Sequence, residues 1–178
     1  MKIQKFETQA VRNQMERSQY GEHSASLYLT SSFVFEDAED MRASFAEEKQ
    51  CNIYSRFSNP NTSEFIHKVA QMEGAEDGVA FATGMGAIFA TFATFLNAGD
   101  HVLSVRAVFG STHTLFTKYF PKWNISTTYF NANEIDNLAS LIQPTTKCIY
   151  VESPTNPGLD IVDLERLGQF AKAHQFLF

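Results

Sequence analysis

Asp77-Gly78-Val79-Ala80-Phe81-Ala82-Thr83-Gly84-Met85-Gly86-Ala87-Ile88-Phe89-Ala90-Thr91-Phe92-Ala93-Thr94-Phe95-Leu96 is the stretch that decides the fold. Residues 77–82 read as a short buried strand, Gly84-Met85-Gly86 as a turn, and Ala87–Leu96 as a helix. A strand passing through a glycine turn into a helix leaves several backbone N–H groups without intrahelical partners at the positive end of the helix dipole. Such an end binds phosphate without a charged side chain. From Val79 to Ala98 the chain carries no charge, so a membrane span is the rival reading. The turn glycines, the side chains of Thr83, Thr91, Thr94 and Asn97, and the lack of flanking Lys/Arg anchors favour the soluble strand-turn-helix.

Working outward, the pattern alternates. Strands are predicted at Val79–Ala82, His101–Val105, Ile125–Phe130 and Lys147–Glu152, with helices at Ala87–Leu96, Thr112–Tyr119, Glu134–Ile142 and Asp163–His174. This alternation predicts an α/β layer with a mostly parallel sheet. Asn97-Ala98-Gly99-Asp100 is a helix stop. Upstream, residues 1–35 read as an arm: a short helical pattern at Phe6, Ala10 and Val11, then extended Ser/Thr-rich chain ending in Phe33-Val34-Phe35. Glu36–Glu48 reads as a helix, Gln50–Asn61 as a loop, and Ser63–Glu73 as a helix capped by Thr62. At the other end Phe176-Leu177-Phe178 begins a further apolar strand, so the expectation is the front part of something longer.

The chain has 178 residues, enough for one domain, or one and a fraction, with a real core, and a formal charge of −6 that argues against a general nucleic-acid binder. Met1–Glu7 lacks the apolar run of a signal peptide, which predicts a cytoplasmic protein without a membrane partner. Cys51 and Cys148 lie in no metal or redox spacing and read as reduced thiols, Cys148 within a strand. The five histidines show no metal spacing; His113 reads as a solvated helix residue or as one near a site.

Three segments accompany the glycine turn. Tyr54-Ser55-Arg56-Phe57-Ser58-Asn59-Pro60 places an Arg and a Tyr where both can reach an anion, Arg forking onto phosphate through two parallel hydrogen bonds; a solvated surface Arg is the plainer reading. Val108-Phe109-Gly110-Ser111-Thr112 follows a strand: either Phe109 packs on the sheet with Ser111 as a helix cap, or it is a flat lid over a planar ring. Glu152-Ser153-Pro154-Thr155-Asn156-Pro157 sets Asn156, both donor and acceptor, in a loop stiffened by two prolines near the sheet edge.

In this order and at these intervals the four segments resemble the pyridoxal-phosphate enzymes of cysteine and methionine metabolism, the transsulfuration family, over nearly the whole chain. Within that family, Gly21-Glu22-His23, Leu29–Phe35 and Phe109-Gly110-Ser111-Thr112 have the flavour of O-succinylhomoserine or O-acetylhomoserine sulfhydrylases. The resemblance implies a three-layer α/β sandwich of pyridoxal fold type I, truncated, with an N-terminal arm and subunit-contact segment at 1–62 and a partial cofactor domain at 63–178. It implies pyridoxal 5′-phosphate as cofactor, with Gly84 and Met85 giving amides to its phosphate. Phe109 would stack on its ring, where most members have Tyr, and Asn156 would contact the ring hydroxyl oxygen and the substrate carboxylate. Tyr54 and Arg56 would reach the phosphate held by a neighbouring subunit, Tyr54 also meeting substrate, so a homodimer or homotetramer is implied. Thr83 and Gly86 depart mildly from the family's pattern.

The implied reaction is loss of succinate or acetate from the γ carbon of a homoserine ester and its replacement by sulfide, giving homocysteine for methionine synthesis. Cystathionine γ-synthase and methionine γ-lyase are the alternatives within the family, and loss of the phenol at Phe109 disfavours lyases that use it. The family's Schiff-base lysine, its Asp at the pyridine nitrogen and its carboxylate-binding Arg fall beyond Phe178. None of the eight lysines (Lys2, Lys5, Lys49, Lys68, Lys118, Lys122, Lys147, Lys172) is nominated, and no catalytic residue is assigned to this chain. The expectation is therefore a chain inactive by itself, with a non-catalytic remnant as the alternative from another class. A dinucleotide-binding module needs an acidic residue about twenty positions after the turn; Asp100 sits in a loop before a strand, not at a strand's end.

Overall fold

The computed structural model describes residues 5–12 and 17–178, and Lys2 with the rest of the Met1–Gln4 start lies outside them. The chain divides into two compact units at Phe81/Ala82. The second unit is built on three parallel strands, β1 (His101–Val105), β2 (Ser126–Phe130) and β3 (Thr146–Tyr150), in the order β2-β1-β3. All five residues of central β1 are buried, as expected of a parallel strand covered on both faces. Leu177 extends the sheet by one parallel bridge to Cys148: its N–H donates to the Lys147 carbonyl and its own carbonyl accepts from Ile149, both at 2.9 Å.

Alternation along the strands divides the core in two. Leu103, Val105, Phe130 and Ile149 face α6 (Leu164–His174) through Leu167 and Ala171, while Val102 and Cys148 face α4 (Gly84–Phe95) through Phe92. Two helical layers thus enclose the sheet, the expected α/β sandwich. On α4, Ile88 and Phe92 lie at helical spacing toward the sheet, with Leu96 packing there just past the helix end, whereas Phe89 and Phe95 are exposed. Its 12 residues span about 18 Å. No described helix is long and apolar enough to cross a membrane.

Several expected elements differ. Residues 79–82 form no strand: 79–81 carry no regular structure and Ala82 lies in a bend, and a strand exists only through ladder partners, which these residues lack among the described ones. The helix expected at 112–119 starts earlier, as α5 (Gly110–Thr114), and passes into a π-helical turn (Leu115–Tyr119) and a 3₁₀ turn (Phe120–Trp123). Pro121 lacks the N–H that would continue α-helical bonding to Thr117. Ser111 therefore lies inside α5, and the capping position belongs to Phe109. Residues 135–141 form a 3₁₀ helix, Ile135–Leu141, in which Ser140 competes for the backbone: its hydroxyl donates to the Asn137 carbonyl at 2.7 Å.

The first unit contains α1 (Phe6–Arg12), α2 (Ala38–Phe45) and α3 (Pro60–Glu73). Asn59, not Thr62, caps α3: its side chain accepts from Asn61 N–H and Pro60 takes the first helical position, where a missing N–H costs nothing. The 26–32 segment is fastened by Asn61, which donates to the Ser26 carbonyl at 2.6 Å and accepts from Tyr28 N–H at 2.8 Å, and by an antiparallel bridge between Ser32 and Tyr54.

His101 is fully buried between two hydroxyls, its Nδ1 2.8 Å from Thr146 Oγ1 and its Nε2 2.9 Å from Thr128 Oγ1. Burial lowers its pKa from the ordinary 6.5. The folded protein holds it neutral while the unfolded chain gains a proton near 6.5, so its contribution is complete above that value and lost as pH falls below it. Urea unfolding across this window should show stability declining with acidification, and His101→Gln, which bridges the hydroxyls without ionising, should flatten the slope. An unchanged slope in the variant would assign the acid sensitivity to other groups.

Candidate functional site

The chain leaves β1 toward α5, on the α4 face of the sheet, and leaves β3 toward α6, on the opposite face. Where neighbouring strands send their connections to opposite faces, a crevice opens at their carboxyl ends, and open α/β sheets bind ligands there. The loops bordering it are 106–109 after β1 and 151–163 after β3. They are joined: Asn156 N–H donates to the Ala107 carbonyl at 3.3 Å.

The N-terminus of α4 belongs to this end of the unit. Thr83 is its cap, with an extended backbone (φ −146°, ψ 150°) and a hydroxyl that accepts from Gly86 N–H at 3.0 Å. With that amide occupied, the N–H groups of Gly84 and Met85 have no intrahelical acceptor. The first turn holds no acidic residue, and a Cβ placed on Gly84 would meet nothing within 4 Å. Open approach, two amides and the positive end of a 12-residue helix form a donor set suited to a phosphate monoester.

Met85 ties that helix to the loops. The Thr112 hydroxyl lies 3.8 Å from Met85 Sδ and 3.4 Å from Glu152 Oε1, and the carboxylate is the stronger acceptor for its single proton. Glu152 further accepts the Phe109 N–H at 2.9 Å and the Tyr150 hydroxyl at 3.1 Å. Burial and the Glu152 charge push the Tyr150 phenol up to about 12, so Tyr150 serves as a proton-holding donor and not as a base near neutrality. Phe109 is 48% exposed and is not among the residues packed into either core cluster of the sheet. The Asn156 side chain is exposed, next to buried Thr155, whose N–H donates to the Asp160 carbonyl at 2.9 Å. His113 is exposed and engages the Tyr129 hydroxyl of β2 at 3.1 Å instead of the Glu152 cluster.

Gly84, Met85, Phe109 and Asn156 are thus drawn to one end of one unit. Tyr54 and Arg56 form their own grouping in the first unit. The Arg56 guanidinium lies 5.4 Å from the Tyr54 ring and 5.2 Å from the Phe57 ring, an aromatic cradle that presents it as a planar cation. Among the described residues no carboxylate lies within ion-pairing distance of Arg56. Glu152 and Thr112 were not singled out by sequence. The only local signal is a carboxylate immediately after an apolar strand, where solvent exposure is the ordinary expectation.

The chain matches the Cys/Met metabolism PLP-dependent enzyme family over residues 7–178. It is 44% identical over 168 residues to an O-succinylhomoserine sulfhydrylase of Pseudomonas aeruginosa, covering 94% of this chain and 42% of that protein. It is 36% identical over 152 residues to an L-methionine gamma-lyase of Fusobacterium nucleatum, covering 85% and 38%. Among solved structures, a Campylobacter jejuni protein assigned as an O-acetylhomoserine (thiol)-lyase superposes with a TM-score of 0.86 at 30% identity, over 96% of this chain and 42% of that one. That structure contains N′-pyridoxyl-lysine-5′-monophosphate. The chain spans about two fifths of the length of the curated relatives it matches. With a sandwich shared at that TM-score and a match over nearly its entire length, the chain belongs to the Cys/Met metabolism family of pyridoxal-phosphate-dependent enzymes.

Proposed function

We propose that the chain is the N-terminal portion of a homoserine-ester sulfhydrylase, in which sulfide takes the place of succinate or acetate on the γ carbon of the ester to form homocysteine, and that it supplies the phosphate cradle and ring lid of the site. The observation that carries this is the grouping of the α4 amides, Phe109 and Asn156 at one carboxyl end of a parallel sheet. The choice of sulfhydrylase is supported by the 44% identical relative of that name and by Phe at position 109, which offers no phenol proton. The 36% identical methionine γ-lyase keeps a lyase activity as the second reading.

When bound, pyridoxal phosphate supplies the electron sink that the protein side chains lack. The amides of Gly84 and Met85 hold its phosphate, the Phe109 ring covers one face of the pyridine, and the Asn156 amide serves the ring hydroxyl oxygen and the substrate carboxylate. Tyr54 and Arg56 act on the phosphate of a neighbouring subunit, with Tyr54 also facing substrate, within a homodimer or homotetramer in the cytoplasm. Exposed Leu27, Leu29, Val34 and Phe57 support residues 1–62 as the subunit-contact segment. No residue of this chain is assigned covalent capture of the cofactor, so the 178 residues alone are read as inactive.

The test is a reading frame extended past the Phe178 codon, expressed and assayed with succinyl- and acetylhomoserine plus sulfide. Homocysteine formation is expected from the extended protein and none from the 178-residue chain. Release of an oxoacid from methionine without homocysteine synthesis would transfer the assignment to a γ-lyase. Turnover by the short chain would overturn its inactivity.

A further inference from the structure

Glu152 stands two residues beyond β3, half-buried, and its oxygens gather groups distant in sequence. Oε2 accepts the Phe109 N–H at 2.9 Å, while Oε1 accepts the Tyr150 hydroxyl at 3.1 Å and lies 3.4 Å from the Thr112 hydroxyl. An ionised carboxylate has about four acceptor positions, enough for all three. Phe109 needs such an anchor. It occupies the capping position of α5 with no side-chain cap bond, and its half-exposed ring has no close aromatic neighbour among the described residues. With the residue half-exposed and outside both core clusters, the ring's direction depends strongly on the backbone and the few staggered χ1 wells that backbone allows. The same 152–156 loop grips two residues earlier, through Asn156 N–H to the Ala107 carbonyl at 3.3 Å.

We infer that Glu152 is a positioning residue: by accepting the Phe109 N–H it fixes the backbone from which the ring departs, and so orients that ring for stacking on the pyridine of pyridoxal phosphate. This rests on the reading of Phe109 as the ring lid. Glu152 does not touch the cofactor. Its carboxylate works through one amide, and Tyr150 and Thr112 hold that carboxylate in place.

Pyridoxal phosphate affinity and the induced circular dichroism of the bound cofactor are to be measured in the cofactor-binding protein for Phe109→Ala, Glu152→Ala, the double variant and Glu152→Gln, with melting temperatures alongside. Loss of the stacked ring in Phe109→Ala should weaken binding about five- to tenfold. Glu152→Ala should give the same loss and the same altered dichroism, and the double variant should be no worse than Phe109→Ala, because both changes remove one function. Glu152→Gln keeps an accepting oxygen while the Tyr150 and Thr112 hydroxyls rotate to accept from its amide, so it should bind within about twofold of the unchanged protein. Glu152→Ala that lowers only the melting temperature, losses that multiply in the double variant, or Glu152→Gln behaving as Glu152→Ala would each overturn the assignment. Should Phe109→Ala leave affinity and dichroism untouched, the lid reading falls and Glu152 with it. An effective Phe109→Ala beside a silent Glu152→Ala removes Glu152 alone.

Discussion

Replacing Gly84 by Pro is expected to weaken pyridoxal phosphate binding by about 10- to 150-fold while leaving the second unit folded. The substitution removes one N–H and little else. Gly84 is the first residue of α4, a position where Pro is favoured because its fixed φ suits the helix and its missing N–H has no intrahelical acceptor. Thr83 already has the extended backbone that a following proline demands, φ −146° and ψ 150°. Nothing lies within 4 Å of a Cβ built at Gly84. A hydrogen bond to a charged group contributes roughly 1.5–3 kcal/mol, which sets the expected range. Gly84→Ala retains the donor and should bind as the unchanged protein does. Equal affinity for Gly84→Pro, read by cofactor titration, would mean that this amide does not hold the phosphate. Melting temperature should stay level or rise slightly, since Pro reduces the freedom of the unfolded chain.

Phe92→Ala carries the largest expected stability loss, about 3–5 kcal/mol, a large share of the 5–15 kcal/mol available to an ordinary domain. Phe92 is 5% exposed, and its ring centroid lies 5.3 Å from those of Phe116 and Phe120, at interplanar angles of 77° and 87°, and 5.5 Å from that of Tyr150. Edge-to-face pairs of this kind add to the area term. Removing the ring leaves a cavity between α4 and the sheet, and α4 is the helix whose first amides are proposed to hold the phosphate. Cofactor affinity should therefore fall together with stability. Phe95→Ala, on the same helix but 55% exposed, should change stability by no more than about 0.5 kcal/mol. Urea unfolding of both variants decides the matter: equal costs would show that α4 is not held through Phe92.

The strand reading of His101–Val105 agreed with the structure residue for residue, because a short apolar run between a glycine turn and a loop has one stable use in an alternating chain. The same kind of run at Val79–Ala82 formed no strand, since ladder bonds depend on which strands lie adjacent, not on local composition. Helix starts carried written signals: Asn59-Pro60 marks a cap followed by a first-position proline, although Thr62 looked equally suitable in isolation. Glu152 carried only its place after an apolar strand, where exposure is the ordinary expectation. Its partner amide at Phe109 is 43 residues away, and no pattern in either segment announces the bond.

Periodicity and glycine placement were enough, from the sequence alone, to indicate a layered α/β unit, while its family and cofactor came from the resemblance of four short segments to a known family. These are properties of local backbone preference and of side chains recurring at fixed intervals, which the chain carries whether folded or not. Only the tertiary structure decided that β1 and β3 lie side by side with their loops parting to opposite faces, and that one carboxylate joins Phe109, Thr112 and Tyr150. Those facts arise when distant segments compete for the same strand edges and hydrogen-bonding groups, and that competition is settled by packing of the whole unit.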